Sequence, residues 1–148
     1  MANLKTAIDQ ALIKSLKQKD ATQAGVLRML KSAIKEKEIA KKNDLLDNEI
    51  IPIVRSQIKS RQESRKQFQQ AGRDQLAQKE TQEIEVLKKF LPKQLTEQEL
   101  IQKIQPIIDK VQAKSPQDLG KVMPLVIKEA QGQADNQAIK NTVLKLLK

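Results

Sequence analysis

The segment Ala71–Leu95, AGRDQLAQKETQEIEVLKKFLPKQL, constrains the fold more than any other part of the chain. It reads as a helix stop, a helix and a second stop. Gly72 ends one helix, because a residue without a Cβ suits the left-handed position just beyond a helix end. Asp74 opens the next helix, which runs to about Phe90. Leu76, Ala77, Ile84, Leu87 and Leu91 form its apolar stripe. Pro92 closes it by forcing the preceding residue out of helical conformation. Lys93–Leu95 is then the clearest domain boundary, dividing residues 1–92 from residues 93–148.

The same punctuation recurs along the chain. Asn3 caps a first helix whose stripe is Leu4, Ala7, Ile8, Ala11, Leu12 and Leu16. Asp20 or Thr22 caps a second, with Val26, Leu27, Leu30, Ala33 and Ile34 inward and a charged far end at residues 35–42. Asp47 caps a third that runs to about Gln70, with Pro52 in its first turns. Thr96 and Glu99 form a capping box for a fifth helix with Leu100, Ile101, Ile104, Ile108 and Val111 inward. Pro106 is expected to kink or split it. Ser115-Pro116 starts a sixth, with Leu119, Val122, Met123, Val126 and Ile127 inward and a bend or late start expected at Pro124. Gly132 ends it, and Asp135 caps a seventh that buries Ile139, Val143, Leu146 and Leu147. The expected fold is all-α and multihelical: an N-terminal four-helix part and a C-terminal three-helix part.

Composition agrees. Four glycines and five prolines in 148 residues are too few for a turn-rich sheet protein, and Leu, Lys, Gln, Glu and Ala favour helix. There is no cysteine and no histidine, which excludes disulfides and thiolate chemistry and removes the commonest general base and metal ligand. No metal and no cofactor is expected. No apolar run approaches the roughly 20 residues that span a bilayer, and the N-terminus is not a signal peptide, so a soluble, cytoplasmic protein is expected. The net charge is +10, divided as +7 in residues 1–92 and +3 in residues 93–148. Such a surplus favours a polyanionic partner such as nucleic acid, or else reflects a Lys-rich solvated surface.

Four of the five arginines, Arg55, Arg61, Arg65 and Arg73, fall within 19 residues. On a helical wheel starting at Arg55, Arg61 and Arg65 lie at about 240° and 280°, inside the sector of Ile51, Val54, Ile58 and Phe68. The apolar stripe stops after Ile58 and arginine replaces it. Two readings stand for Arg61 and Arg65, besides an oligomer interface. They pair with carboxylates of a neighbouring helix, such as Glu80 or Glu83, or they line a cleft that takes phosphates. Lys121, Lys128 and Lys140 are a second set of cations that could line one basic edge of the C-terminal part.

Other features read as structural. Phe68 and Phe90 sit among apolar neighbours at helical spacing and are expected in the core, so RNA would be recognised by backbone, 2′-hydroxyl and shape rather than by base stacking. Gly120-Lys121 lacks the pattern of a phosphate-binding loop, and Gly120 is expected at a close helix–helix approach. Glu80 and Glu83 share a face, as a solvated or arginine-paired pair. No serine or lysine has the surroundings of a nucleophile, and no catalytic residue is identified.

Leu27-Arg28-Met29-Leu30-Lys31-Ser32-Ala33-Ile34-Lys35, the central set from Arg61 through Ala71-Gly72-Arg73 to Leu91-Pro92, and Asp118-Leu119-Gly120-Lys121-Val122-Met123 with Gly132-Gln133-Ala134-Asp135 together resemble the GatB/YqeY family. The resemblance implies two all-helical parts, the second similar to the tail domain of the aspartyl/glutamyl-tRNA amidotransferase B subunit, which helps to hold tRNA. It therefore implies a tRNA-binding or structured-RNA-binding accessory protein without catalysis of its own. Arg61, Arg65, Arg73, Lys121, Lys128 and Lys140 would contact phosphates, and aminoacyl-tRNA or amidotransferase components are further expected partners. Two alternatives stand beside this: a carbon–nitrogen ligase with glutamine as amido-N-donor, or a component of one; and a helical protein-interaction adaptor in translation. Pro124 departs from a plain helix just after the Gly-Lys pair.

Overall fold

Asn3 opens the first helix, its side-chain oxygen accepting from the amides of Lys5 at 2.8 Å and Thr6 at 3.4 Å. Asp20 opens the second, accepting from the Gln23 amide at 3.0 Å. The computed structural model describes residues 3–147. Its helices are α1 (Leu4–Lys17), α2 (Ala21–Lys41), α3 (Asp47–Gln70), α4 (Asp74–Lys88), α5 (Glu97–Val111), α6 (Leu119–Ala130) and α7 (Asn136–Leu146), with a 3-10 turn at Pro116–Asp118. No strand occurs among the described residues, so the chain is all-α and multihelical. It divides into two units, Met1–Leu91 and Pro92–Lys148.

In the first unit α3 lies along α4, and α2 packs on α1, α3 and α4. The core joins Ile8 of α1, Leu27, Leu30 and Ile34 of α2, Ile50, Val54 and Ile58 of α3, and Ile84, Val86 and Leu87 of α4, closed by Leu45 and Phe90. The α3–α4 corner is built on Gly72, whose φ is +72°. The Arg73 amide donates to the Phe68 carbonyl at 2.8 Å and the Gly72 amide to the Gln69 carbonyl at 3.2 Å. These bonds satisfy carbonyls that the helix end leaves open, and the left-handed position costs glycine nothing.

In the second unit α5, α6 and α7 pack pairwise. Leu100, Ile104 and Ile108, Val122, Val126 and Ala130, and Ile139, Val143 and Leu147 make its core. Thr96 and Glu99 form the expected box: the Glu99 amide donates to the Thr96 hydroxyl at 3.2 Å and the Thr96 amide to the Glu99 carboxylate at 2.9 Å. Asp135 caps α7 through the Ala138 amide at 3.0 Å.

Several expectations need correction. Asp47 is not the cap of α3 but its first residue; Leu46 stands at the cap, its amide donating to Glu49 at 3.0 Å. The Asp47 carboxylate instead accepts from the Leu4 amide at 2.9 Å, tying α3 to the start of α1. α5 is not split at Pro106, and α6 runs on through Pro124 after starting at Leu119, later than Ser115-Pro116 suggests. Both prolines are exposed, as are Gln102 and Gly120, whose carbonyls lose their usual amide partner. Water can hydrate those carbonyls, so the helix continues. Ser115 does stand at the cap, of the 3-10 turn and with Pro116 just inside it, but the bonds there run from the Lys114 and Ser115 amides to the Asp118 carboxylate.

Stripe membership also shifts at the edges. Leu16, Leu76 and Ile127 are exposed, while Ser15 is buried and bonds the Ala11 carbonyl at 2.7 Å. Phe90 is in the core, but Phe68 is only half-buried and lies outside it. A Cβ on Gly120 would meet open space, so no close helix approach requires glycine there.

Candidate functional site

Past Ile58, the inward side of α3 carries Arg61 and Arg65 in place of aliphatic side chains. It faces Glu80 and Glu83, adjacent on one side of α4. Arg61 Nη1 donates to Glu83 Oε2 and lies 3.5 Å from Glu80 Oε2. The three side chains are 12–16% exposed. The other guanidinium nitrogen, Nη2, lies 3.4 Å from the Met29 sulfur of α2. One turn on, Arg65 is half-buried and donates to Thr81 Oγ1 at 3.4 Å. Of the two readings of the arginine stripe, Arg61 thus realises the carboxylate pair. A planar fork with fixed donors suits two acceptors on one helix face better than an ammonium does. Arg73 stands apart, exposed at the α3–α4 corner.

Lys121 and Lys128 stand seven residues apart, two turns, on one exposed stripe of α6. Lys121 is 71% exposed, with its ammonium 3.7 Å from Asp118. Lys140 is exposed on α7. The chosen cations therefore do not form one cluster. Arg61 and Arg65 face α4, Arg73 sits at a corner, and the lysines belong to the other unit.

Acidic side chains are used differently from basic ones. Asp20, Glu99 and Asp135 accept from helix-start amides. Glu38 takes both Lys5 and the Leu45 amide, and these hold its carboxyl below the ordinary range. Glu49 is held down in the same way by Lys41 and the Leu46 amide, and Asp118 by the Lys114 and Ser115 amides. Lys5 is pushed above its ordinary value, first by Glu38.

A basic feature the sequence reading passed over lies between α1 and α2. An open groove of about 670 Å³ is lined by Leu12 of α1 and by Arg28, Lys31, Ser32, Lys35, Glu36 and Ile39 of α2. A smaller hollow of about 260 Å³ shares Lys35 and Ile39 with it. Lys31 Nζ lies 2.8 Å from Asp9 Oδ1 across the helix pair. The signal was present in the chain: cations at 28, 31 and 35 recur at helical spacing on the side opposite Leu30. Arginine within an apolar stripe, as on α3, is a sharper sequence signal than lysine on a solvated face.

A family model described as Yqey-like protein matches residues 5–147, nearly the whole chain. The chain belongs to the YqeY-like family. That family is related to the C-terminal domain of the GatB amidotransferase subunit. Among curated proteins, an uncharacterized protein of Schizosaccharomyces pombe is 31% identical over 90 residues, covering 61% of this chain and 73% of the yeast protein. The family match runs through both units, so the α3–α4 corner, the α1–α2 groove and α6 all lie within it. Among the described residues, no helix of this YqeY-like chain is long and apolar enough to cross a membrane.

Proposed function

We propose that this protein is a helical RNA-binding accessory protein that holds tRNA or another structured RNA by its phosphate backbone and performs no chemistry of its own. The observation that supports this most is the division of labour among charges. Most carboxylates are engaged in caps and internal pairs, as at Glu38, Glu49, Glu80, Glu83, Glu99 and Asp118. Many cations remain on exposed helix surfaces, among them Arg73, Lys128 and Lys140, with Lys121 held only by a long contact. The net charge of +10 is therefore presented outward. Such a surface attracts a polyanion by releasing its counterions, without sequence preference. The family's relation to the amidotransferase tail domain favours tRNA over other polyanions.

Arg61 has its charge matched by two glutamates, so Arg65, Arg73, Lys121, Lys128 and Lys140 carry the contacts in this reading. The test is a filter-binding titration of the full chain against tRNA and duplex DNA over a salt series. The parent should prefer tRNA, and Lys121→Glu with Lys128→Glu should weaken binding while helicity is unchanged. Equal affinity of parent and double variant would overturn the assignment of the α6 face.

A further inference from the structure

We propose that the groove between α1 and α2 is a docking site for an acidic amphipathic helix of another protein. The groove pairs an apolar floor with a basic rim. Leu12 and Ile39 supply the floor, and Ile39 is 68% exposed. Leu16, one turn beyond Leu12 on α1, extends the apolar strip and is 48% exposed. Arg28, Lys31 and Lys35 supply the rim, against the single acid Glu36. Asp9 holds Lys31, and Lys35 also acts on Glu38, so Arg28 and in part Lys35 are left to meet an incoming carboxylate.

The dimensions suit a helix. From Arg28 to Ile39 the lining spans 11 residues of α2, roughly 16 Å at 1.5 Å per residue, about three helical turns. A helix laid there would bury apolar residues at i, i+3 or i+4, and i+7 on the floor and set Asp or Glu against the rim. Charge complementarity chooses this occupant. A second copy of this chain, at +10, brings the less favourable sign of charge to a basic rim. A nucleic-acid backbone would satisfy the rim but leave the aliphatic floor unused, because no aromatic side chain lines the groove for a base to stack on.

The experiment is independent of the RNA reading. A panel of fluorescein-labelled helical peptides, with leucines at the spacings above and flanking glutamates, is titrated with the full chain and followed by anisotropy. Each peptide has a composition-matched scramble. At least one patterned peptide should bind ten-fold or more tightly than its scramble. Arg28→Glu with Lys35→Glu, and separately Ile39→Ser, should each weaken it at least ten-fold. All three positions are exposed, so circular dichroism and Tm should match the parent. tRNA affinity of the Ile39→Ser variant should change less than about two-fold. If no patterned peptide binds, or scrambles bind equally, or Ile39→Ser binds the peptide as the parent does, the proposal is overturned. Failure of tRNA to bind the parent would defeat the RNA reading and leave the peptide result standing.

Discussion

Arg61 of α3 and Glu83 of α4 neutralise each other on the packed side of the first unit, where the apolar stripe of α3 has run out. Glu80 stands 3.5 Å from the same guanidinium nitrogen. The arrangement turns a charged residue in an apolar sector into a link between the two helices that pack most extensively in this unit.

Removing the cation leaves two carboxylates facing one another with little water. Arg61→Ala is expected to destabilise the first unit by about 3 kcal/mol, the cost of breaking a largely buried pair. Glu83→Gln should cost less, because Glu80 remains and the amide still accepts a hydrogen bond. Urea denaturation of the full chain measures both. A loss under about 0.5 kcal/mol for Arg61→Ala, the range of ordinary surface substitutions, would show that the pair does not hold α3 to α4.

The pH dependence follows from Glu38, Glu49, Asp118 and Lys5. The three carboxyls are held below their ordinary values when folded, so the unfolded chain binds protons more readily. Their stabilisation is present above the unfolded values, 4.5 for Glu and 3.8 for Asp, and is lost as pH falls through the folded ones. Lys5 is raised above 10.5, so its contribution is present below that value and is lost as pH rises past the folded one. With no histidine, stability should be nearly flat from about pH 6 to 9. Glu38→Gln should be less stable than the parent at pH 7 and approach it as pH falls below 4.5. Chemical denaturation at several pH values checks this; a constant difference across the acid range would remove Glu38 as a contributor.

Gln112 ends α5 in the left-handed region, with φ +57°, and is exposed. A side chain there costs roughly 1 kcal/mol that glycine does not incur, partly offset by glycine's greater unfolded freedom. Gln112→Gly should raise stability by about 0.5 kcal/mol, read as a small rise in the Tm of the second unit. A fall in Tm would show that the glutamine makes a compensating contact.

The RNA reading also fixes a slope. Each lysine that neutralises a phosphate should add about 0.7–0.9 to the magnitude of the log–log salt slope. Lys121→Gln with Lys128→Gln should therefore reduce that magnitude by roughly 1.4–1.8 for tRNA. An unchanged slope would place the contacts elsewhere.

Some helix ends were legible and others were not. Gly72, Thr96 with Glu99, and Asp135 act where their chemistry says they should. Lys19, Lys42, Gln112 and Gln131 take positive φ at other helix ends, and nothing in those residue types announces it. At the first three, amides just past the helix end donate back to carbonyls of its last turns, Asp20 to Ser15 at 2.9 Å, Asn43 to Glu38 at 3.3 Å and Ala113 to Ile108 at 3.1 Å. Phe68 and Ile127 sit at apolar positions yet stay partly exposed, because a stripe marks a direction on a helix and a neighbour must still cover it.

By itself the sequence determined that the chain is all-α, where most helices begin, and which faces are apolar. These are local matters, set by capping chemistry and by spacing over a few residues. Tertiary structure alone decided that Arg61 is matched by Glu80 and Glu83, and that Arg28, Lys31 and Lys35 border a groove floored by Leu12. Whether a cation is neutralised or presented depends on what a distant segment places beside it. Spacing along one helix gives the direction a side chain takes, not the partner it meets.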